Sequence, residues 1–240
     1  MVPDRPEPLA DAASEASERF GETVRDAIDE AKPHLRGWLH AATAPLALAA
    51  GIVLVVLSPT SMTRAGSSIF AASALVLFTA SATMHRGRWS PRTGRWLRRL
   101  DHSSIFLLIA GSYTPFTLLL LHGRDRTTLL CVAWGGATLG TLFRIFWSGA
   151  PRWLYTPIYM ALGWAAVFYL PAFFDRAGTA VLTLMIAGGV LYTVGGVVYG
   201  FKKPDPFPRW FGFHEVFHTL TIAAFVTHYV GVSLATYSLR

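Results

Sequence analysis

Residues 101–121 read DHSSIFLLIAGSYTPFTLLLL. The run carries one acid, Asp101, at its first position, and no Glu, Lys or Arg. At 1.5 Å of rise per residue, a helix of this length reaches about 30 Å, the thickness of a bilayer's hydrocarbon core. Runs of the same kind recur along the chain. Seven can be drawn, at about 38–57, 67–85, 101–121, 127–147, 154–174, 178–200 and 211–235. Clusters of Gly, Pro and charge separate them, as at Ser58-Pro59, 86–99, 123–126, 149–152, 175–178 and 202–209. No segment alternates with period two as a membrane barrel strand does. The pattern predicts an all-α integral membrane protein, a seven-transmembrane helix bundle over residues 34–240.

Composition agrees. The chain is 52% hydrophobic and 15% charged, with a mean hydropathy of +0.41. A soluble domain carries about 25% charge, so this chain has too little to face water on all sides. The apolar content excludes disorder for most of its length. Cys131 is the single cysteine, which excludes a disulfide framework.

The net charge of +7 would suggest nucleic acid in a soluble protein. Its distribution argues against that. Residues 1–33 hold nine acids and four bases, a net −5, whereas residues 34–240 hold five acids and 17 bases, a net +12. Those bases lie mostly between apolar runs, as in loops at an anionic membrane face, so membrane lipids and not nucleic acid are the expected partners. With the N-terminus in the cytoplasm, 16 Lys and Arg fall inside and five outside. That bias predicts a cytoplasmic N-terminus and an outside C-terminus. Residues 1–33 place Leu9, Ala13, Ala16, Phe20, Val24, Ala27 and Ala31 at helical spacing between acids. They read as an acidic tail or a surface amphipathic helix, and not as a signal peptide, which needs a basic start and an apolar core.

Five acids follow residue 33, and three of them, Asp125, Asp175 and Asp205, fall in loops. Asp101 and Glu215 stand at the starts of the third and seventh spans. An ionisable residue at membrane depth is a functional candidate, although a carboxylate there can also cap a helix N-terminus. His85 ends the second span, with Ser81 one turn before it. His214 and His218 are four apart, on one face of the seventh span. The predicted topology brings His85, Asp101, His214 and His218 to similar depth near the inner face. Neutral imidazoles at this spacing bind zinc, and three of them leave a fourth position for water, which is the catalytic arrangement. Asp101 would take a proton from that water. Ser81 would bond to the water, to His85 or to a substrate carbonyl, unless its hydroxyl turns back onto its own helix.

His228 lies about 15 Å deeper than His218 at the helical rise, which excludes it from the same site. His122 falls in an outer loop, His102 points about 100° away from Asp101, and His34 and His40 read as interfacial or packing residues. Residues 214–218, HEVFH, match the zincin pattern H-E-x-x-H. No acid follows Glu215, and Ala224 stands where a metzincin has its third His. The third ligand must come from elsewhere, and His85 is the candidate. Glu215 remains a second-choice base, or a favourable charge at a helix N-terminus. Gly196-x-x-x-Gly200 suits close helix packing, Pro115, Pro157 and Pro171 are candidate kinks, and Trp89, Trp96, Trp153 and Trp210 suit the inner interface.

Ser81-Ala82-Thr83-Met84-His85, Asp101 with Ile105, residues 110–115 (AGSYTP) and His214-x-x-x-His218 resemble the hemolysin III proteins, the bacterial branch of the progestin and adipoQ receptor family. Residues 32–40, KPHLRGWLH, are also similar, and the resemblance covers about residues 32–235. It implies seven helices with the N-terminus inside and a zinc ion near the cytoplasmic face. It implies His85, His214 and His218 as ligands, Asp101 beside the metal, and Ser81 before the first ligand. Eukaryotic members are linked to hydrolysis of the lipid amide ceramide, and bacterial members to membrane lipid homeostasis. The leading expectation is a zinc-dependent hydrolase of a lipid amide or ester in the bacterial cytoplasmic membrane. A receptor or sensor with a structural zinc site is the alternative. A cytolytic hemolysin is a second one, disfavoured by seven mostly apolar spans with short loops.

Overall fold

The computed structural model describes residues 33–239. The acidic segment read at 1–33 falls, apart from Pro33, outside the described residues. The described chain is helical throughout: α1 (Trp38–Val56), α2 (Ser61–Arg86), α3 (Pro91–Leu120), α4 (Gly123–Phe146), α5 (Arg152–Gly163), a 3-10 turn (Ala165–Tyr169), α6 (Leu170–Phe201) and α7 (Phe213–Tyr237). Six stretches are long and apolar enough to cross a membrane, the fifth being the 50 residues Arg152–Phe201. The protein is an all-α membrane protein.

The distribution of polarity shows the same thing. Large apolar side chains face outward, Phe146 and Phe168 at 83% exposure. The interior mixes Phe70, Phe78 and Phe106 with Ser58, Ser67, Ser73, Ser81 and Thr117. A water-soluble fold would invert this arrangement, whereas in lipid the interfaces between helices collect small and hydroxylated residues. α2 packs between α1 and α3, α3 against α4, and α6 against α7, while α7 also touches α1, α2 and α3.

Three helices start four or more residues earlier than the sequence predicts: α2, α3 and α4, the last at Gly123, which places Asp125 in its first turn and not in a loop. α2 opens at Ser61 and not near 67, because Thr60 and Thr63 bond reciprocally: Thr63 N donates to Thr60 Oγ1 at 3.1 Å, and Thr60 N to Thr63 Oγ1 at 2.9 Å. α3 opens at Pro91, with the Ser90 hydroxyl accepting from Thr93 N at 3.2 Å. The basic segment 86–99 is therefore mostly helix. Asp101 lies on the third turn of α3, which removes its reading as an N-cap.

The predicted helix at 154–174 is interrupted. α5 ends at Gly163 and the chain tightens into a 3-10 turn. Tyr113 on α3 repairs this break: its hydroxyl bonds to the carbonyls of Gly163 at 2.7 Å and Leu162 at 3.1 Å, and accepts from Ala166 N at 2.9 Å. Such repair is what permits irregular backbone inside an apolar layer. The loop expected at 175–178 narrows to Gly178, whose φ of 65° and ψ of 153° interrupt α6. α3 stays helical through Pro115, and Pro171 sits in the first turn of α6 and not in a helix interior. Gly196 and Gly200 face Met160 and Thr156 of α5.

Candidate metal centre

His85 sits on the last turn of α2, and His214 and His218 on the first two turns of α7. Their Nε2 atoms approach: His214 to His85 measures 3.2 Å. One ligating nitrogen from each of the three lies within 4.8 Å of the others. A tetrahedral ion with Zn–N bonds of 2.0–2.1 Å sets its ligand nitrogens about 3.3 Å apart, so the set fits zinc with small rotations of the rings. Asp101 Oδ2 is 3.8 Å from His85 Nε2. The buried Ser81 hydroxyl, one turn from His85, faces the Asp101 carboxyl.

Several contacts position the ligands. Gly37 precedes α1 with φ of 79°, and a Cβ built on it would lie 2.7 Å from His85 Cβ. No side chain fits there, so α1 starts directly against the base of His85. The chain before α1 docks on the loop before α7, His34 N to Arg209 O at 2.9 Å and Leu35 N to Trp210 O at 3.2 Å. Asp205 Oδ1 accepts from Phe213 N at 2.8 Å, and Glu215 Oε2 from Gly212 N at 2.9 Å, closing the N-terminus of α7. Arg36 Nε meets Glu215 Oε1 at 2.5 Å.

These contacts separate the two candidate bases. Glu215 is 0% exposed, and both of its oxygens are engaged, one by an ion pair and one by the helix cap. Asp101 is the carboxylate beside the histidines. His228 bonds to the Met185 carbonyl at 3.2 Å, away from the cluster. His122 pairs with Arg176 at 2.8 Å.

Two further residues belong to the neighbourhood. His40 is 2% exposed and stacks on His218, with ring centres 3.8 Å apart and planes 16° apart. A metal lies in the plane of a ligating imidazole, so a ring stacked parallel to His218 cannot reach the same ion, and His40 acts as a wall. Arg144, one of the 16 bases assigned to the inner side, is 1% exposed and bonds to His102. Its place inside the run 127–147 was the available signal.

His214, His218, Asp101 and Ser81 line one end of a cavity of about 260 Å³ that runs between α3, α5, α6 and α7 as far as His228. Its walls are mostly apolar, with Ile105, Leu108 and Phe116 on α3 and Met160, Met185 and Ile186 opposite. A mostly apolar cavity with imidazoles and a carboxyl at one end suits a molecule with a polar group on a hydrocarbon chain.

The family described as Haemolysin-III related matches residues 29–229. The chain belongs to that family. The Hemolysin-3 homolog of Bacillus subtilis (strain 168) is 34% identical over 155 residues, 65% of this chain and 70% of that protein. Hemolysin-3 of Bacillus cereus is 30% identical over 193 residues, 79% of this chain and 85% of its own length. More distant is the Adiponectin receptor protein of Drosophila melanogaster, 29% identical over 163 residues, 60% of this chain and 36% of that one. The matched region of the haemolysin-III family contains all three histidines, Ser81 and Asp101.

Proposed function

We infer that this protein is a zinc-dependent hydrolase of a lipid amide or ester in the bacterial cytoplasmic membrane. The observation that carries the reading is the meeting of His85, His214, His218, Asp101 and Ser81 beside a mostly apolar cavity, which all of them but His85 line. His85, His214 and His218 would hold the ion. When bound, zinc supplies Lewis-acid polarisation of a carbonyl and acidifies a water. Asp101 takes a proton from the water that attacks the carbonyl carbon and returns it to the departing nitrogen or oxygen. Ser81 donates a hydrogen bond to the carbonyl oxygen. The apolar walls hold the acyl chain and exclude bulk water.

In this reading Arg152–Phe201 crosses twice. Fifty residues of continuous helix would extend about 75 Å, more than twice the hydrocarbon core. The interruption at Gly178 supports a reversal there. Seven spans follow, with the N-terminus in the cytoplasm, and the excess of Lys and Arg on that side supports the orientation. The metal centre then lies near the cytoplasmic face.

The test is metal content of the purified protein by mass spectrometry, followed by release of fatty acid from ceramide and ester lipids. The wild type should hold one zinc per chain, and Asp101→Asn should keep the metal and lose turnover. Turnover unchanged in Asp101→Asn would overturn the mechanism. The relative named as an adiponectin receptor favours a second reading, a receptor in which the same ion ties α2 to α7. A site closed by a fourth protein ligand would support it.

A further inference from the structure

Arg144 lies near the inner end of α4 and is 1% exposed. Its guanidinium stacks over Tyr155, 4.3 Å from the ring centre. Nη2 lies 3.0 Å from His102 Nδ1 and donates at 3.4 Å to the Ser148 carbonyl. Its Nε and Nη1 make no hydrogen bond. Among the described residues the ion pairs are Arg36–Glu215 and His85–Asp101, so no carboxylate neutralises Arg144. A buried guanidinium without a counter-charge costs several kcal/mol. A tie between two helices could be made without it.

The bond to His102 has a chemical consequence. Arginine has only donors and stays protonated. Nδ1 of His102 must therefore offer its lone pair, and the ring proton must sit on Nε2. The rival partner is the Arg98 carbonyl one turn back on α3, which also faces the ring. Donation to it from Nδ1–H would set two donors 3.0 Å apart, which is repulsive. The rest of His102 is held as well: Tyr159 on α5 donates to its backbone carbonyl at 3.1 Å, and Tyr155 packs beside the ring.

Nε2 differs from the nitrogens of His40. It is not among the sealed atoms, no group among the described residues bonds to it, and His102 lines the cavity next to Asp101. We propose that Arg144 locks His102 as the Nε2–H tautomer and that this N–H is a hydrogen-bond donor to a lipid ligand's oxygen beside the metal centre. The ligand contact rests on the reading of the cavity as a lipid site; the tautomer does not. Arg144 is then a positioning residue and His102, the residue next to Asp101, a second polar contact. The ligand class it selects carries an acceptor oxygen, a carbonyl, hydroxyl or carboxylate, within a few ångströms of the group held by the histidines.

Long-range proton–nitrogen correlation on the 15N-histidine-labelled full chain in detergent reads the tautomer without any ligand. The wild type should show an Nε2–H imidazole that disappears in His102→Gln. In Arg144→Met the same ring should become a mixture of tautomers, with the other histidine signals unmoved as evidence of folding. A wild-type ring protonated on Nδ1, or a tautomer unchanged in Arg144→Met, overturns the lock. Oleate, added to the zinc-loaded protein, probes the contact. Gln places its amide N–H near the Nε2 position and Asn does not. His102→Gln should bind oleate nearly as the wild type does, and His102→Asn and His102→Phe about 10-fold more weakly. Equal affinity in all three variants overturns the contact. If the wild type itself fails to bind oleate, the lipid reading of the cavity falls with the contact, and the tautomer result stands by itself.

Discussion

α2, α3 and α7 run unbroken for 26, 30 and 25 residues, whereas Arg152–Phe201 is interrupted at 163–169 and again at Gly178. The unbroken helices carry every metal-ligand candidate, Asp101 and Ser81. The interrupted stretch carries mainly the apolar wall, together with Trp164, Val167 and Ile186, which line the cavity and are also exposed. Groups that must stay within fractions of an ångström sit on helices that run without an internal break. The wall of a hydrocarbon channel needs no such precision. There, broken backbone is tolerated as long as a side chain such as Tyr113 satisfies it.

If the division is right, substitutions at the metal ligands and at the contacts that hold them should change metal binding, and those at the groups that satisfy the interrupted stretch should change stability alone. The largest effect is expected for His85→Ala, His214→Ala or His218→Ala. Each should lower zinc affinity by more than about 100-fold, since even indirect supports of a metal ligand are worth 10- to 100-fold; titration with a competing chelator measures it. Retained affinity in any of the three would remove that residue from the site.

Next comes Arg36→Ala. It leaves the buried Glu215 carboxylate without a counter-charge and should destabilise the protein by about 3 kcal/mol, seen as a fall in thermal midpoint, with zinc affinity reduced because α7 loses its anchor. Glu215→Gln keeps the cap and should retain turnover better than Asp101→Asn. The opposite ranking would make Glu215 the base. Gly37→Ala forces a Cβ against His85 at a φ that favours glycine. It should cost about 1–2 kcal/mol and weaken zinc binding about 10-fold. Tyr113→Phe gives the smallest effect at the metal. It strands polar groups at the break after α5 and should cost about 1–3 kcal/mol, with zinc affinity unchanged. A loss of metal in Tyr113→Phe would erase the distinction between the two regions.

The sequence made the site legible because chemistry at membrane depth is conspicuous. Asp101 and the His214–His218 pair stand out against runs of Leu, Ala and Val. The early starts of α2 and α3 were less visible, since Thr60–Thr63 replaces the usual Glu or Gln in a capping box and the arginines at 92–99 look like loop residues. The break at 163–169 depends on a tyrosine some 50 residues away, which no local pattern records. The stacking of His40 on His218 and the contact of Arg144 with His102 were hidden for the same reason. Their roles come from which ring or backbone the fold brings beside them, and spacing along one helix carries no trace of it.

His85 and His214 are 129 residues apart. At 5–20 residues per second a ribosome needs roughly ten seconds to cover that distance. During that interval α3 to α6 leave the exit tunnel while the first imidazole has no companion. Whatever the pocket captures is therefore captured last, after nearly all of the polypeptide has entered the lipid. A chain released before residue 214 would be inserted, apolar and well packed in its first helices, and without the function its first half prepares.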